Sequence, residues 1–264
     1  MAAITLDAWV DALQSRGRYT FLRTEAIKGS GLSPEAVKKA LQRMVSRRRV
    51  VKVKDYFYVI VPLEYLNSGG PPSSWFVDDL MKAMKLPYYV GLLSAAGIHG
   101  ASHQQPQVFQ VLTVRPVRPL QVGRARLQFF ASKHASEAAV QSVKTPTGTM
   151  RVSTPESTVV DLIRFAKAAG HLDNVATVIA DLVPLVHPAR LLKAIRLSGN
   201  VSTAQRLGYL LDQIRARHLS KPIHHWVERQ SPRTVALRPG RAVPGAPEDQ
   251  RWHVLVSEPI EIEA

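Results

Sequence analysis

The side chains best equipped for chemistry in this sequence are hydrogen-bond donors and cations, and they concentrate between Ser33 and Lys54. Lys38, Lys39, Gln42 and Arg43 recur at a spacing that would line one side of a helix, and Arg47, Arg48, Arg49, Lys52 and Lys54 follow at once. Lysine and arginine neutralise phosphates and release their counterions, while glutamine and arginine also offer paired groups to base edges. The set suits duplex DNA, with Ser33 opening the helix, Lys38, Lys39, Gln42 and Arg43 facing a groove, and the remaining five on the backbone. A charged helix and hairpin that merely face water is the plainer alternative.

Other constellations carry less. His99 and His103 are four apart, but the residue after the first is Gly100 where a metalloprotease helix needs glutamate, and the spacing supplies no third ligand. Asp78 and Asp79 are adjacent, so on a helix they diverge by about 100° and cannot share a magnesium ion. Asp161, Asp181 and Asp212 stand too far apart to converge except through the fold, and no nucleophile elbow or phosphate-binding loop occurs. With no cysteine, thiolate catalysis, disulfides and Cys-ligated zinc are excluded. No catalytic residue, metal or cofactor is expected.

The elements that must position the basic set are legible. Ser33 is a good N-cap, Pro34 suits the first helical position and Glu35 favours the dipole, so a helix starts here with Val37, Ala40, Leu41, Met44 and Val45 inward. The period then becomes alternating through Val51 and Val53, Asp55 marks a turn, and Tyr56 to Val61 is aromatic and β-branched, giving a basic hairpin. Upstream, residues 5–15 read as an amphipathic helix closed by Gly17, Tyr19 to Leu22 as a short strand, Arg23 to Lys28 as a second helix, and Gly29-Ser30-Gly31 as the turn. This order predicts a winged helix-turn-helix.

At 264 residues the chain exceeds one such module, so a second domain is expected. The polar, turn-rich stretch 67–74 suggests a linker between a DNA-binding domain at 1–66 and a domain at 75–264. The net charge of +15 favours polyanions, although residues 1–66 hold 12 basic and 6 acidic residues and the remainder 23 and 14. The start of the chain lacks the basic opening of a signal peptide and no apolar run reaches a membrane span, so a soluble cytoplasmic protein is expected. Helices are predicted at Trp75 to Lys85, from Pro155, at Leu172 to Val183, Pro188 to Ser198 and Ser202 to His218. Strands are predicted at Gln107 to Val114, Leu127 to Ala131, Gly148 to Ser153, Thr234 to Leu237 and Trp252 to Val256, with Arg238 to Asp249 a loop. Arg190, Lys193 and Arg196 would form a basic ridge which, with Arg206, could serve accessory DNA contacts or partner binding.

Four stretches resemble the AbiEi antitoxin family, the antitoxin and repressor half of AbiE-type (type IV) toxin-antitoxin systems: Gly31 to Pro62, Tyr88 to Val111 with its Tyr-Tyr-Val-Gly-Leu-Leu-Ser-Ala-Ala-Gly-Ile-His-Gly run, Gln205 to Asp212, and Trp252 to Ile260. The resemblance implies an α+β protein, an N-terminal winged helix-turn-helix domain followed by a larger mixed α/β C-terminal antitoxin domain. It further implies binding to operator inverted repeats in its own promoter and action against a nucleotidyltransferase-type toxin, by contact or without it. The alternatives are a nucleic-acid-acting enzyme positioned by a winged helix, a generic winged-helix regulator, or an interaction module for an acidic partner.

Overall fold

In the computed structural model, residues 4–101, 107–239 and 245–261 are described. The chain divides into two compact units, Met1–Tyr89 with Gln107–Ser136 and Ser142–Arg151, and Val90–Pro106 with Glu137–Gln141 and Val152–Ala264.

The first unit opens with α1 (Leu6–Gln14), capped by Thr5, whose hydroxyl accepts from Ala8 N at 3.2 Å. After it come β1 (Thr20–Leu22), α2 (Arg23–Ser30), α3 (Pro34–Ser46), β2 (Val50–Lys54) and β3 (Phe57–Ile60). The three strands form an antiparallel sheet in the order β1-β3-β2. One core of Leu6, Val10, Leu13, Phe21, Val37, Leu41, Met44, Val50 and Ile60 joins helices and sheet. The turn before α3 is shorter than expected: Gly29 and Ser30 complete α2, and Gly31 alone turns the chain with φ of 71°. Gly29 instead receives Trp9, whose indole would stand 2.1 Å from an added Cβ.

The stretch 67–74 lies within this unit, and the division into units does not follow it. A 3-10 turn at Leu63–Ser68 leads into it, the Ser68 carbonyl accepts from Arg124 N at 2.8 Å, and Gly69 and Gly123 approach so closely that a Cβ on Gly123 would meet the Gly69 backbone at 2.4 Å. Turn-forming composition here reflects tight backbone packing rather than a free tether. Tyr19 and Tyr65 both meet Trp75 edge-on, and the Thr20 hydroxyl donates to Asp79 at 2.5 Å.

α4 (Val77–Ala83) is shorter than predicted because Ser73–Trp75 is a separate 3-10 turn. β4 (Tyr88–Val90) is followed by α5 (Leu92–Ile98), then β5 (Val108–Thr113), β6 (Leu120–Val122), β7 (Ala125–Ala131), β8 (Val140–Thr145) and β9 (Gly148–Ser153). The sheet order is β6-β7-β5-β4-β9-β8, with β5 parallel to β7 and β6 antiparallel to it. Neither β6 nor β8 is among the strands expected from sequence.

In the second unit α6 (Pro155–Arg164), capped by Thr154, is buried on nearly every side and packs against α5, α7, α8 and α9. α7 is His171–Leu182, α8 Pro188–Ser198, α9 Val201–Gln213 and α10 Arg217–Glu228. The single helix predicted over Ser202 to His218 is thus two: the chain breaks at Ile214 to Ala216, with Arg215 at φ of 61°, and α10 then runs on through Pro222. Short strands β10 (Val235–Ala236), β11 (Glu248–Asp249) and β12 (Val254–Leu255) form a small sheet around β12, so the predicted loop ends in a strand.

α9 carries a socket. Gln205, Gly208 and Asp212 lie on one stripe, and the fully buried Trp252 fills it: Gln205 Nε2 donates to the Trp252 carbonyl at 3.0 Å, a Cβ on Gly208 would overlap the indole at 2.1 Å, and Trp252 Nε1 donates to Asp212 at 2.8 Å. No helix among the described residues is long and apolar enough to cross a membrane.

Candidate nucleic-acid interface

The interface candidate is built by α3 and the β2–β3 hairpin. Ser33 accepts from Ala36 N at 3.2 Å, which makes it a cap for the helix. Burial of Val37, Ala40, Leu41 and Met44 fixes the rotation of α3 and turns Lys38, Lys39, Gln42, Arg43 and Arg47 to solvent, while Val45, expected inward, is 39% exposed. Among the described residues the side chains of these five, and of Arg48, have no hydrogen-bond or ion-pair partner. An unpaired cationic face of this kind is ready to meet phosphates.

The helix ends in a Schellman arrangement: Arg48 N donates to Val45 O at 3.0 Å and Arg49 N to Met44 O at 2.9 Å. Arg48 therefore takes the left-handed position usual for glycine, with φ of 57°. This turn passes the chain directly into β2. The hairpin carries a bulge between Lys52 and Lys54, which shifts their register against Tyr58 and Phe57. Lys52 Nζ reaches Asp55 at 3.2 Å in an exposed pair. Lys54 is partly buried.

Arg49 differs from its neighbours. Its Nη2 donates to Asp11 at 2.5 Å and to Gln14 at 2.7 Å, and Nη1 donates to the Val61 carbonyl at 3.3 Å. The guanidinium ties the end of α1 to the junction of α3 with the hairpin, so both of its terminal nitrogens are engaged within the unit. Charge alone assigns Arg49 to phosphate, and its geometry does not.

In the second unit Arg190, Lys193 and Arg196 are exposed on α8, opposite buried Leu191 and Ile195. Arg206 is apart from them: its Nε donates to Ala236 O at 2.9 Å, and burial lowers its guanidinium from the usual arginine range. The structure thus brings three of these four together.

The acids and histidines have other work. Asp78 accepts from Tyr88 Oη at 2.8 Å and pairs with Lys82, whereas Asp79 takes Thr20, so the two diverge. Burial, with Asp78 adding to it, pushes the Tyr88 phenol far above its usual range. Asp161 pairs with Arg164 at 3.2 Å, and Asp212 holds Ser220 and Trp252. His99 Nε2 lies 2.8 Å from the Ser153 carbonyl, and His103 falls outside the described residues. Among the described residues no group of three His, Asp or Glu could hold a metal ion. A second basic concavity is lined by Arg217, Lys221 and Arg251, and sequence spacing does not signal it because α10 does not read as a separate helix.

Residues 89–213 match the family model of the AbiEi antitoxin C-terminal domain. No curated protein matches the chain in sequence. Among solved structures the chain is similar to the RV2827C protein from Mycobacterium tuberculosis, at 14% identity and a TM-score of 0.65, over 96% of this chain and 92% of that one. At that identity the likeness shows the fold alone. An antigenic nucleotidyltransferase-like protein from Paracoccidioides brasiliensis is 10% identical over 64% of this chain and 94% of its own, with a TM-score of 0.37, too low to carry an argument. The stretch from residue 89 to residue 213, just under half of the chain, is thus the part that is similar to the AbiEi antitoxin C-terminal domain.

Proposed function

We propose that this protein is an AbiEi-type antitoxin that also represses its own transcription, binding operator inverted repeats through a winged helix-turn-helix formed by α1 to β3. In this reading α3 enters the major groove, the hairpin is the wing, and the chain itself catalyses nothing. Lys38, Lys39, Gln42 and Arg43 address base edges; Arg47, Arg48, Lys52 and Lys54 hold phosphates. The observation that carries the reading is the row of exposed, unpaired donors on α3 continuing into the hairpin without an intervening acid before Asp55. The matched C-terminal domain family supplies the antitoxin half. Its counterpart is a nucleotidyltransferase-type toxin, and Arg190, Lys193 and Arg196 on α8 provide toxin contacts or accessory DNA contacts.

The test replaces Arg47 by Ala, Arg48 by Gly and Lys52 by Ala together and measures binding to the DNA upstream of the gene over a range of salt. Glycine at 48 suits the left-handed backbone, so the fold survives the change. The slope of log K against log salt flattens by about 0.9 for each phosphate that is no longer neutralised. An unchanged slope sinks the assignment.

A further inference from the structure

Helix α10 starts at Arg217, and Lys221, His224 and His225 follow at spacings of four, seven and eight residues, which sets the four on one side. With Pro222 and Arg251 they line a recess of 760 Å³. Two of its lining residues, His224 and Arg251, rest against the indole that fills the socket on α9. Trp252 Nε1 donates to Asp212 at 2.8 Å, its ring meets His224 edge-on at 5.2 Å, and the Arg251 guanidinium lies 5.6 Å from the ring. Arg251 Nε stands 3.0 Å from Asp212, which also accepts from the Ser220 hydroxyl at 2.5 Å. One carboxylate thereby fixes both the indole behind the recess and one of the cations.

The charges do not balance within the recess. Asp212 is matched by Arg251, and Glu228 is 3.6 Å from His224 Nδ1. His225 Nε2 is 3.0 Å from Arg229. Arg217 and Lys221 are exposed and have no acidic partner among the described residues. Two uncompensated cations beside a third held in place call for an anion with several charges rather than one carboxylate. The volume lies in the range of small-molecule sites. Trp252 is fully buried and offers no face for a base to stack on, so the recess suits phosphates and not nucleobases.

We propose that this recess binds a phosphate chain, as carried by a nucleoside polyphosphate or by a nucleic-acid backbone. The site is independent of α3 and of the reading given to it. The full-length protein is titrated with sodium tripolyphosphate, following heat and tryptophan fluorescence. One saturable site is expected, weakened at least tenfold by Arg217→Ala with Lys221→Ala. Removing the same charge elsewhere, with Arg115→Ala and Arg118→Ala, both exposed, leaves the affinity unchanged. Absence of saturable binding, or equal loss in both double variants, overturns the proposal. ATP and a duplex of unrelated sequence are then added as competitors. Displacement by ATP assigns free polyphosphate, displacement by the duplex assigns backbone, and displacement by neither overturns it.

Discussion

Arg48 and Arg49 carry equal charge on adjacent residues and have different consequences. Arg48 holds a position that glycine would hold more easily, and nothing among the described residues takes its guanidinium, so its side chain contributes little to the fold. Arg49 makes hydrogen bonds to Asp11, Gln14 and the Val61 carbonyl. Hydrogen bonds to charged groups contribute about 1.5–3 kcal/mol when partly shielded, and the Asp11 side chain here is largely exposed, which moves the expectation towards the lower value. Arg49→Met should therefore cost about 1–2 kcal/mol in urea unfolding and leave the salt dependence of DNA binding unchanged. A flattened salt slope with stability intact would return Arg49 to the phosphates. The sequence shows a run of arginines but not which one faces inward, because Asp11 is 38 residues away and meets Arg49 only through the packing of α1.

The starts of helices are legible in the sequence because their signals are local. Ser33 before Pro34 and Thr154 before Pro155 each place a hydroxyl, a fixed φ and an acid within one turn, and both helices begin there. The break between α9 and α10 is not, since Ile214-Arg215-Ala216 contains neither glycine nor proline while Pro222 sits inside the following helix. β8 reads Val-Gln-Ser-Val-Lys-Thr, too polar to signal a strand, and it stands at the sheet's edge beside β9, the next strand in sequence, where one face need not be apolar. Gly208 is a similar case: on α9 it looks like a helix-weakening residue, and only the indole of Trp252 explains it. Gly208→Ala would set a methyl into a fully buried ring, so it should destabilise the second unit by about 3 kcal/mol, the upper end of ordinary overpacking. Loss of tryptophan quenching at lower urea than in the wild type would report it. A neutral Gly208→Ala would mean that Trp252 can leave the socket at little cost.

At the scale of the whole molecule, the core beneath α3 is drawn entirely from residues 6–60, so a fragment of residues 1–66 contains what it needs to fold. It lacks Trp75, against which Tyr19 and Tyr65 rest, and Asp79, which accepts from Thr20. A fragment of residues 1–85 should then resist urea better than 1–66, by about 2–3 kcal/mol, the lower end of what two aromatic pairs and one charged hydrogen bond contribute. Both should bind the upstream DNA at low salt. If 1–66 folds cooperatively and shows no binding, the groove and phosphate contacts do not reside in α3 and the hairpin.

Trp252 follows Gln205 by 47 residues, so during synthesis α9 leaves the ribosome well before the side chain that closes it. Throughout that interval the stripe of Gln205, Gly208 and Asp212 on α9 lacks the indole that fills it. A ribosome stalled between these two residues would release a product whose second unit lacks the indole that fills the socket. Chains arrested before and after residue 252 should then differ in resistance to limited proteolysis of α9, with the step falling where the indole becomes available to the socket.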